Sequence, residues 1–228
     1  EGGTALHISY TWNEHKEISR LLLASPKFTA VNEHHHNHGT VFHQAAGDGD
    51  VETCKLLLES KDFTSINSTN SSGLTALECV CNCGDDARAA EICKLILASP
   101  DFSDATGKLR VLHKALGRED ETPLIEVCKA LLDSTRFQSL NYKDEDGDSA
   151  LHVVVMTTFS NEEIPVETVR LLLECPRVDV NCVNNQMRTA MHCAAKDCTS
   201  AGEEPDMLRV FLESKAFNEV NKANKKGQ

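Results

Sequence analysis

The sequence predicts an all-α solenoid built from six helix-turn-helix repeats. Three observations predict this fold. An apolar triplet recurs six times along the 228 residues, at intervals of 35, 39, 35, 41 and 39 residues. A Ser or Cys stands four residues after the start of each triplet, and a Phe or Val stands seven residues after it. A second signature precedes each triplet, and repeats with periods of about 20–50 residues are typical of solenoids.

The upstream signature predicts the first helix of each repeat. It reads Thr-Ala-Leu-His at residues 4–7, and the fourth copy, Arg-Val-Leu-His at residues 110–113, is the weakest. Small residues such as Ala45 and Ala46 follow, which permits close contact between neighbouring helices. The six copies begin at Thr4, Thr40, Thr75, Arg110, Ser149 and Thr189. We expect a short and tightly packed helix at each of them.

The triplets belong to a second helix. In the second copy, the apolar residues at 51, 54, 57 and 58 follow the 3.6-residue period of an amphipathic helix. Pro26, Pro100 and Pro176 then end this helix, because proline disfavours the helical conformation of the residue before it. The triplets begin at Leu21, Leu56, Leu95, Ala130, Leu171 and Val210. A single helix pair cannot bury its apolar side alone, so we expect the triplets to form a core between stacked repeats.

The period, the T-x-L-H-x-A-like opening and the later Leu triplet with a terminal Val-Asn resemble the ankyrin repeat over essentially the whole chain. The resemblance implies helix pairs joined by hairpin fingers that project sideways from a stacked array. The chain differs from the family pattern in having Ala or Val where Pro usually precedes the Leu, and a Ser-Pro/Lys-x-Phe pattern in place of Gly-Ala-Asp. We expect one array over residues 1–228, with repeats at about 1–35, 36–69, 70–105, 106–143, 144–183 and 184–224, and the start of a further repeat at 225–228.

The loops between paired helices are longer in five copies than in the second one. The extra residues include Asp85, Asp86 and the acidic pairs at 162–163 and 203–204. Two interpretations are open, a solvated acidic rim and a docking edge for a basic partner. The chain begins directly before a repeat opening and ends in what looks like the entry to another one. We therefore expect it to be a segment of something longer.

Composition excludes several classes of partner. The 35 acidic residues against 23 Lys and Arg give a net charge of -12, which disfavours nucleic acid and anionic membrane surfaces. No apolar stretch approaches the roughly 20 residues that a membrane span needs, so we expect no membrane insertion. Ten cysteines without a signal peptide indicate a reducing compartment. We expect an intracellular, cytoplasmic protein.

The cysteines fit core positions better than a metal or redox site. Cys54, Cys93 and Cys128 each lie two residues before a triplet, where other copies have Val169 and Leu208. Cys79, Cys81 and Cys83 lack C-x-x-C spacing, and alternate positions on a helix point about 200° apart, too far apart to share one metal. Metal or redox sensing through this cluster stays open as a third hypothesis.

The histidines fall into two groups. His7, His43, His113, His152 and His192 share one position of the repeat, which Glu78 fills in the third copy, and the ankyrin resemblance implies hydrogen bonds between neighbouring repeats. The run of His34, His35, His36 and His38 lies in the first finger. It is either an exposed polar surface or a group that binds a transition metal or senses pH.

The sequence contains no EF-hand loop, phosphate-binding loop, G-x-S-x-G or H-E-x-x-H motif. The acidic run at residues 144–148 has Gly at its fourth position and Val155 at its twelfth, whereas a calcium-binding EF-hand loop needs Gly at the sixth and Glu at the twelfth. The Gly-Asp-Gly at residues 47–49 lacks the further glycine and Lys-Ser/Thr of a phosphate loop. We expect no enzyme activity and no cofactor.

A stack of helix pairs without a catalytic site suits the binding of another macromolecule. The sequence therefore predicts a non-catalytic protein-protein interaction scaffold. The alternative is a regulatory or targeting segment of a longer enzyme or channel. The residues expected to contact a partner are Tyr10, Trp12, His34, His35, His36, Tyr142, Asp144, Asp146 and Arg188, since they lie on fingers or near the first loop between helices.

Overall fold

The computed structural model describes residues 3–11, 16–104, 107–117, 123–157, 166–201, 206–220, 222–225 and 227. Within them the chain forms two compact units, residues 1–103 (unit 1) and 104–228 (unit 2). Each unit contains three consecutive helix pairs. The described residues form no named strand. The fold is the predicted all-α one, with helix-turn-helix repeats.

The described residues of unit 1 form six helices, which pack in the order of the chain. The first helices of neighbouring repeats contact each other, as do the second helices. They are α1 (Ala5–Thr11), α2 (Lys16–Ala24), α3 (Val41–Asp48), α4 (Val51–Glu59), α5 (Ala76–Cys79) and α6 (Asp86–Ala98). Short 3-10 turns at Ala30–Asn32 and Ser65–Asn67 lead from the second helices into the fingers, and another follows α5 at Val80–Asn82.

Unit 2 repeats this arrangement. Its helices are α7 (Val111–Leu116), α8 (Ile125–Asp133), α9 (Ala150–Thr157), α10 (Val166–Glu174), α11 (Ala190–Ala201) and α12 (Asp206–Glu213). A 3-10 turn at Ser139–Asn141 follows α8. Helix α9 contacts both α7 and α11, and α10 contacts α12, so neighbouring repeats pack helix against helix. No helix in the described residues is both long and apolar enough to cross a membrane.

Side chains at the helix starts explain why the helices begin where they do. Thr40 and His43 form a reciprocal capping box at α3, and Thr75 and Glu78 form the same box at α5. The Asp85 carboxylate accepts a hydrogen bond from the Arg88 amide and caps α6. Such caps satisfy amide groups that have no partner within the helix. The Thr-x-x-His signature is therefore a helix-start signal.

The triplets form the core in the second to sixth copies, as predicted, but not in the first copy, where Leu21 is 65% exposed. In five of the six copies the middle residue is fully buried, namely Leu57, Ile96, Leu131, Leu172 and Phe211. In the second and sixth copies the Phe that follows the second helix packs back onto the repeat. Phe63 lies edge-on to Phe42 with ring centroids 4.9 Å apart, and Phe217 lies edge-on to Phe211 at 5.3 Å. Cys54, Cys93 and Cys128 are fully buried too, which confirms their role as small hydrophobic residues.

Helix α5 differs from the expected continuous first helix. It ends at Cys79, and the chain continues as a 3-10 turn with Cys81 and Cys83 buried. The two inserted acidic residues of the third copy start α6, which has 13 residues against nine in α4. The insertion at 85–86 therefore lengthens a helix. The acidic pairs at 162–163 and 203–204 lie outside the described residues.

Candidate functional site: the fingers and their contacts

The fingers are short hairpins closed by a side-chain turn. Four of them are described in full: the first (residues 33–40), second (68–75), fourth (142–149) and fifth (182–189). In the second finger the Asn70 side-chain oxygen accepts hydrogen bonds from the amides of Ser72 and Leu74. Asp144 and Asn184 accept the corresponding bonds in the fourth and fifth fingers. An Asx turn therefore shapes these fingers.

Histidines link each of four first helices to the finger that follows. Their Nδ1 and Nε2 atoms have different roles. Where Thr or Ser opens the helix, Nδ1 accepts a hydrogen bond from that residue's amide, so the neutral ring carries its proton on Nε2. Nε2 lies 2.9–3.1 Å from a carbonyl oxygen in the finger: His7 from Gly39, His43 from Ser68, His113 from Asp148 and His152 from Arg188. The expected link between neighbouring repeats is confirmed for these four.

A second set of links joins successive turns after the second helices. An Asn stands eleven residues after the start of the triplet in most repeats. Its side-chain NH2 donates to a backbone carbonyl of the following repeat, and its side-chain oxygen accepts from the backbone amide two residues after that carbonyl. Asn32 is bonded in this way to Asp62 and Thr64, and Asn181 to Ala216 and Asn218. Asn67 and Asn141 make the same pair of bonds. Each unit is thus held by two rows of hydrogen bonds besides its core.

The predicted contact residues of unit 1 differ in how far their side chains are exposed to solvent. His34 and His36 are exposed and His35 is half-buried. The His35 ring lies 4.3 Å from that of His36, 5.2 Å from that of His38 and 5.8 Å from that of His7. Burial and nearby Asp50 and Asp48 raise the pKa of Tyr10, whose hydroxyl is hydrogen-bonded to Asp48. Trp12 lies outside the described residues.

In unit 2 the predicted residues lie on two neighbouring fingers. The Tyr142 ring is half-buried, edge-on to His113 at 5.1 Å. Asp144 makes the finger turn, whereas Asp146 is exposed. Arg188 is half-buried, and its carbonyl accepts the bond from His152. Of these four, Asp146 has the side chain most accessible to a partner.

Sequence reasoning missed Met187. It occupies the position of Gly73 and Gly147, two residues before the next repeat opening, and like them it has a positive φ, 57° against 72° and 78°. Its side chain is 42% exposed. A left-handed conformation costs a residue other than Gly roughly 1–2 kcal/mol. Aligning the fifth finger with the second and fourth identifies Met187 as the residue that stands where they have Gly.

Neither the histidine run nor the cysteines form a metal centre in the part of the chain that the structure describes. No group of three or more His, Cys, Asp or Glu side chains there is placed to hold a metal ion. The nine cysteines whose side chains the structure describes are free thiols. Burial raises the pKa of Cys54 and Cys93, so these thiols stay protonated and unreactive at neutral pH.

Two of the repeat histidines can be compared directly, because His152 has hydrogen-bond partners for both ring nitrogens and His113 lacks one for Nδ1. His152 has its Nδ1 bonded to Ser149 and its Nε2 near the Arg188 carbonyl. Nδ1 of His113 is buried without a partner, since Arg110 replaces the usual Thr or Ser. We expect His152→Ala to lower the free energy of unfolding by about 1–3 kcal/mol more than His113→Ala does. Urea denaturation measures both, and equal losses would contradict the assigned bonds.

Buried histidines also predict the direction of the pH dependence. Burial lowers the pKa of His7, His43, His113 and His152 below the ordinary value of 6.5. Between the lowered pKa and 6.5 the unfolded chain binds more protons, so stability rises with pH in that window. We expect full stability above about pH 6.5 and a progressive loss on acidification below it. Thermal midpoints measured from pH 8 down to pH 5 check this, and a constant midpoint would contradict it.

Comparison with known proteins agrees with this geometry. The family described as "Ankyrin repeats (3 copies)" matches residues 6–106 and 112–224. The chain therefore belongs to the ankyrin-repeat family, whose members generally mediate protein-protein interactions and are typically non-catalytic. No curated protein matches the sequence significantly.

Solved structures share the fold at low sequence identity. The ankyrin repeat domain of human ASB11 is 19% identical with a TM-score of 0.71, covering 99% of this chain and 89% of its own. The ankyrin repeat domain of Bcl-3, a unique member of the IkappaB protein family, is 20% identical with a TM-score of 0.72, and the match covers 100% of this chain and 92% of that one. An ankyrin repeat domain from Acinetobacter baumannii AYE is 23% identical with a TM-score of 0.60, covering 82% and 86%.

Proposed function

We propose that the protein is a non-catalytic scaffold that binds a protein partner through the exposed tips of its fingers. Met187 is the observation that carries this proposal. A Met in a left-handed conformation costs stability that Gly at the same position would not cost. An exposed, flexible apolar side chain is well suited to contact a partner. Contact with a partner would give a physical reason for Met rather than Gly at position 187.

Charge supports a partner with a basic surface. The chain carries a net charge of -12, and Glu145 and Asp146 are exposed on the fourth finger, which is hydrogen-bonded to the fifth finger that carries Met187. The Glu145 carbonyl accepts a bond from the Asn185 side chain, and the Asp146 carbonyl accepts one from the Asn185 amide. Acidic and apolar groups thus lie on one pair of linked fingers. A basic partner attracted to them would be lost as salt rises.

Affinity capture followed by mass spectrometry tests the proposal. Wild-type protein is compared with Met187→Gly, Asp146→Ala and the double variant His34→Ala/His36→Ala, at low and high salt. We expect a set of bound proteins that Met187→Gly and Asp146→Ala lose. Met156→Ala is the control, because Met156 is 37% exposed on α9 and lies on no finger. The proposal is wrong if the finger variants retain every protein that the wild type binds.

The same substitution has a predicted effect on stability. Met187→Gly removes the left-handed strain, so we expect it to raise the free energy of unfolding by about 1 kcal/mol. Chemical denaturation measures the change. Met187→Ala is the comparison, since Ala keeps most of the backbone strain and should gain little. A loss of stability in Met187→Gly would show that the side chain serves packing rather than binding.

A further inference from the structure

The turn of the first finger is closed by a histidine, whereas Asn or Asp closes the other three fingers that are described in full. The residue concerned stands five positions before each repeat opening, and it is His35, Asn70, Asp144 or Asn184. Nδ1 of His35 accepts a hydrogen bond from the Asn37 amide at 3.3 Å. The Asn70 oxygen accepts the same bond from the Ser72 amide at 2.9 Å. His35 therefore replaces an Asx side chain as the acceptor in this turn.

An imidazole can serve as this acceptor only while its ring is neutral. Because Nδ1 of His35 accepts from the Asn37 amide, the neutral ring carries its proton on Nε2. A proton taken up at Nδ1 turns this acceptor into a donor that faces a second donor, and the bond is lost. The side-chain oxygens of Asn70 and Asn184 take up no proton in the pH range where histidine titrates. Protonation therefore leaves their turns intact.

The first turn also depends more on a single side-chain bond than the others do. The Asn70 oxygen accepts a second hydrogen bond, from the Leu74 amide at 3.0 Å. The corresponding amide in the first finger, that of Gly39, donates to the backbone carbonyl of His35 instead, also at 3.0 Å. The bond from Asn37 to Nδ1 thus does alone what two bonds do in the second finger.

Further histidine rings surround His35. The centroid of its ring lies 4.3 Å from that of His36, 5.2 Å from that of His38 and 5.8 Å from that of His7 on α1. Partial burial and these neighbouring rings lower the pKa of His35 below 6.5. Opening of the finger separates the rings and returns His35 to its ordinary pKa. The open finger therefore binds a proton more tightly than the closed one, so acid favours opening.

The remaining groups near the first finger either add positive charge or are uncharged, with one exception. His34 on the finger faces His43 on α3, with ring centroids 6.1 Å apart. The second finger presents an uncharged side chain, because the Ser71 hydroxyl donates to the Asn37 carbonyl at 2.8 Å. The exception is Glu33, whose charge opposes the lowering of the pKa of His7 by burial.

We propose that His35 makes the first finger a pH-dependent element, which is closed at neutral pH and opens when Nδ1 of His35 takes up a proton under mildly acidic conditions. Opening breaks the bond from the Asn37 amide and moves the Asn37 carbonyl away from Ser71. The proposal goes beyond the proposed function, because the opening takes place in the free protein. Loss of a partner from His34 and His36 on acidification is a consequence that rests on the proposed function.

Hydrogen exchange by NMR on the whole chain without a partner tests the proposal. The quantity measured is the protection of the Asn37 amide relative to an unfolded chain, from pH 8 down to pH 5. We expect this protection to fall by up to about tenfold for each pH unit between 6.5 and the lowered pKa of His35, as uptake of one proton requires. The Gln186 amide, which donates to the Asn184 oxygen at 3.0 Å, should keep its protection and so exclude global unfolding.

Three variants separate the acceptor from the surrounding charge. His35→Asn supplies the acceptor of the second finger, so we expect Asn37 to stay protected at every pH. His35→Ala supplies no acceptor, and Asn37 should be unprotected even at pH 8. His36→Asn removes a neighbouring ring but keeps the acceptor, so the transition should remain and move closer to pH 6.5.

Three results would overturn the proposal. The first is a wild-type protection of Asn37 that does not change between pH 8 and pH 5. The second is a His35→Asn variant that loses protection on acidification as the wild type does. The third is a His35→Ala variant in which Asn37 is as well protected at pH 8 as in the wild type. None of these results depends on whether the fingers bind a partner, so they leave the test of the proposed function separate.

Discussion

Replacing Leu57 by Ala is expected to lower the free energy of unfolding by about 2–5 kcal/mol. Leu57 is the middle residue of its triplet on α4 and is fully buried. Its loss removes apolar contacts and leaves a cavity that the surrounding helices fill only in part. Urea denaturation of the wild type and the variant measures the difference.

Leu21→Ala is the matched control for this change. Leu21 begins the first triplet but is 65% exposed, so the same chemical substitution removes little buried area. We expect its effect to stay within about 0.5 kcal/mol. If the two variants lose similar stability, burial of the triplets does not hold the repeats together.

Asp104→Ala is expected to cost about 3 kcal/mol or more, because it removes three hydrogen bonds to a buried carboxylate. The Asp104 carboxylate is buried and accepts bonds from the amides of Gln138 and Ser139 and from the Ser139 hydroxyl, at 2.7–2.8 Å. These groups would be left without a partner in the variant. A thermal or chemical unfolding curve measures the loss.

Two further variants distinguish the effect of the hydrogen bonds to Asp104 from the effect of removing a negative charge. Asp104→Asn keeps one acceptor oxygen at the same place, so we expect it to recover part of the stability. Asp146→Ala removes an exposed carboxylate and should change stability by no more than about 0.5 kcal/mol. Equal stability of Asp104→Ala and the wild type would contradict the role of Asp104.

The repeat period was enough to predict the helix pairs, because the triplets and the Thr-x-x-His signature each carry a local physical signal. Leu57 and Phe63 lie where periodicity and fixed offsets place them, in the core. His43 forms the predicted link to the next finger, and it also caps α3, a role that was not predicted. These core positions and hydrogen bonds could be predicted because they involve residues close in sequence or residues that recur at the same offset in most repeats.

Features that break the period could not be predicted in the same way. The Asn of the turn is replaced in the third copy by Thr106, and the buried acceptor is Asp104, two residues earlier. The Arg177 guanidinium donates to the carbonyls of Leu132, Ser134 and Phe137. These bonds span 40–45 residues and have no counterpart in the repeat signature. Such bonds depend on the three-dimensional stacking itself.

The candidate site was predicted only in part, since exposure on a finger depends on how its turn closes. Asp144 and Asp146 look equivalent in the sequence, yet one makes the turn and the other is exposed. Met187 is an ordinary residue in the sequence, and its strain appears only in the backbone angle of 57°.

Amide hydrogen exchange by NMR tests most directly the central claim, that neighbouring repeats are joined turn to turn. The amides of Thr64, Ser103, Asp179 and Asn218 belong to exposed residues, and each donates to the Asn side chain of the preceding repeat at 2.7–2.9 Å. We predict that these four exchange slowly despite their exposure, and that Asn181→Ala releases Asn218 while Asp179 stays protected. Exchange of all four in the wild type at the rate of an unfolded chain would contradict the stacking of repeats.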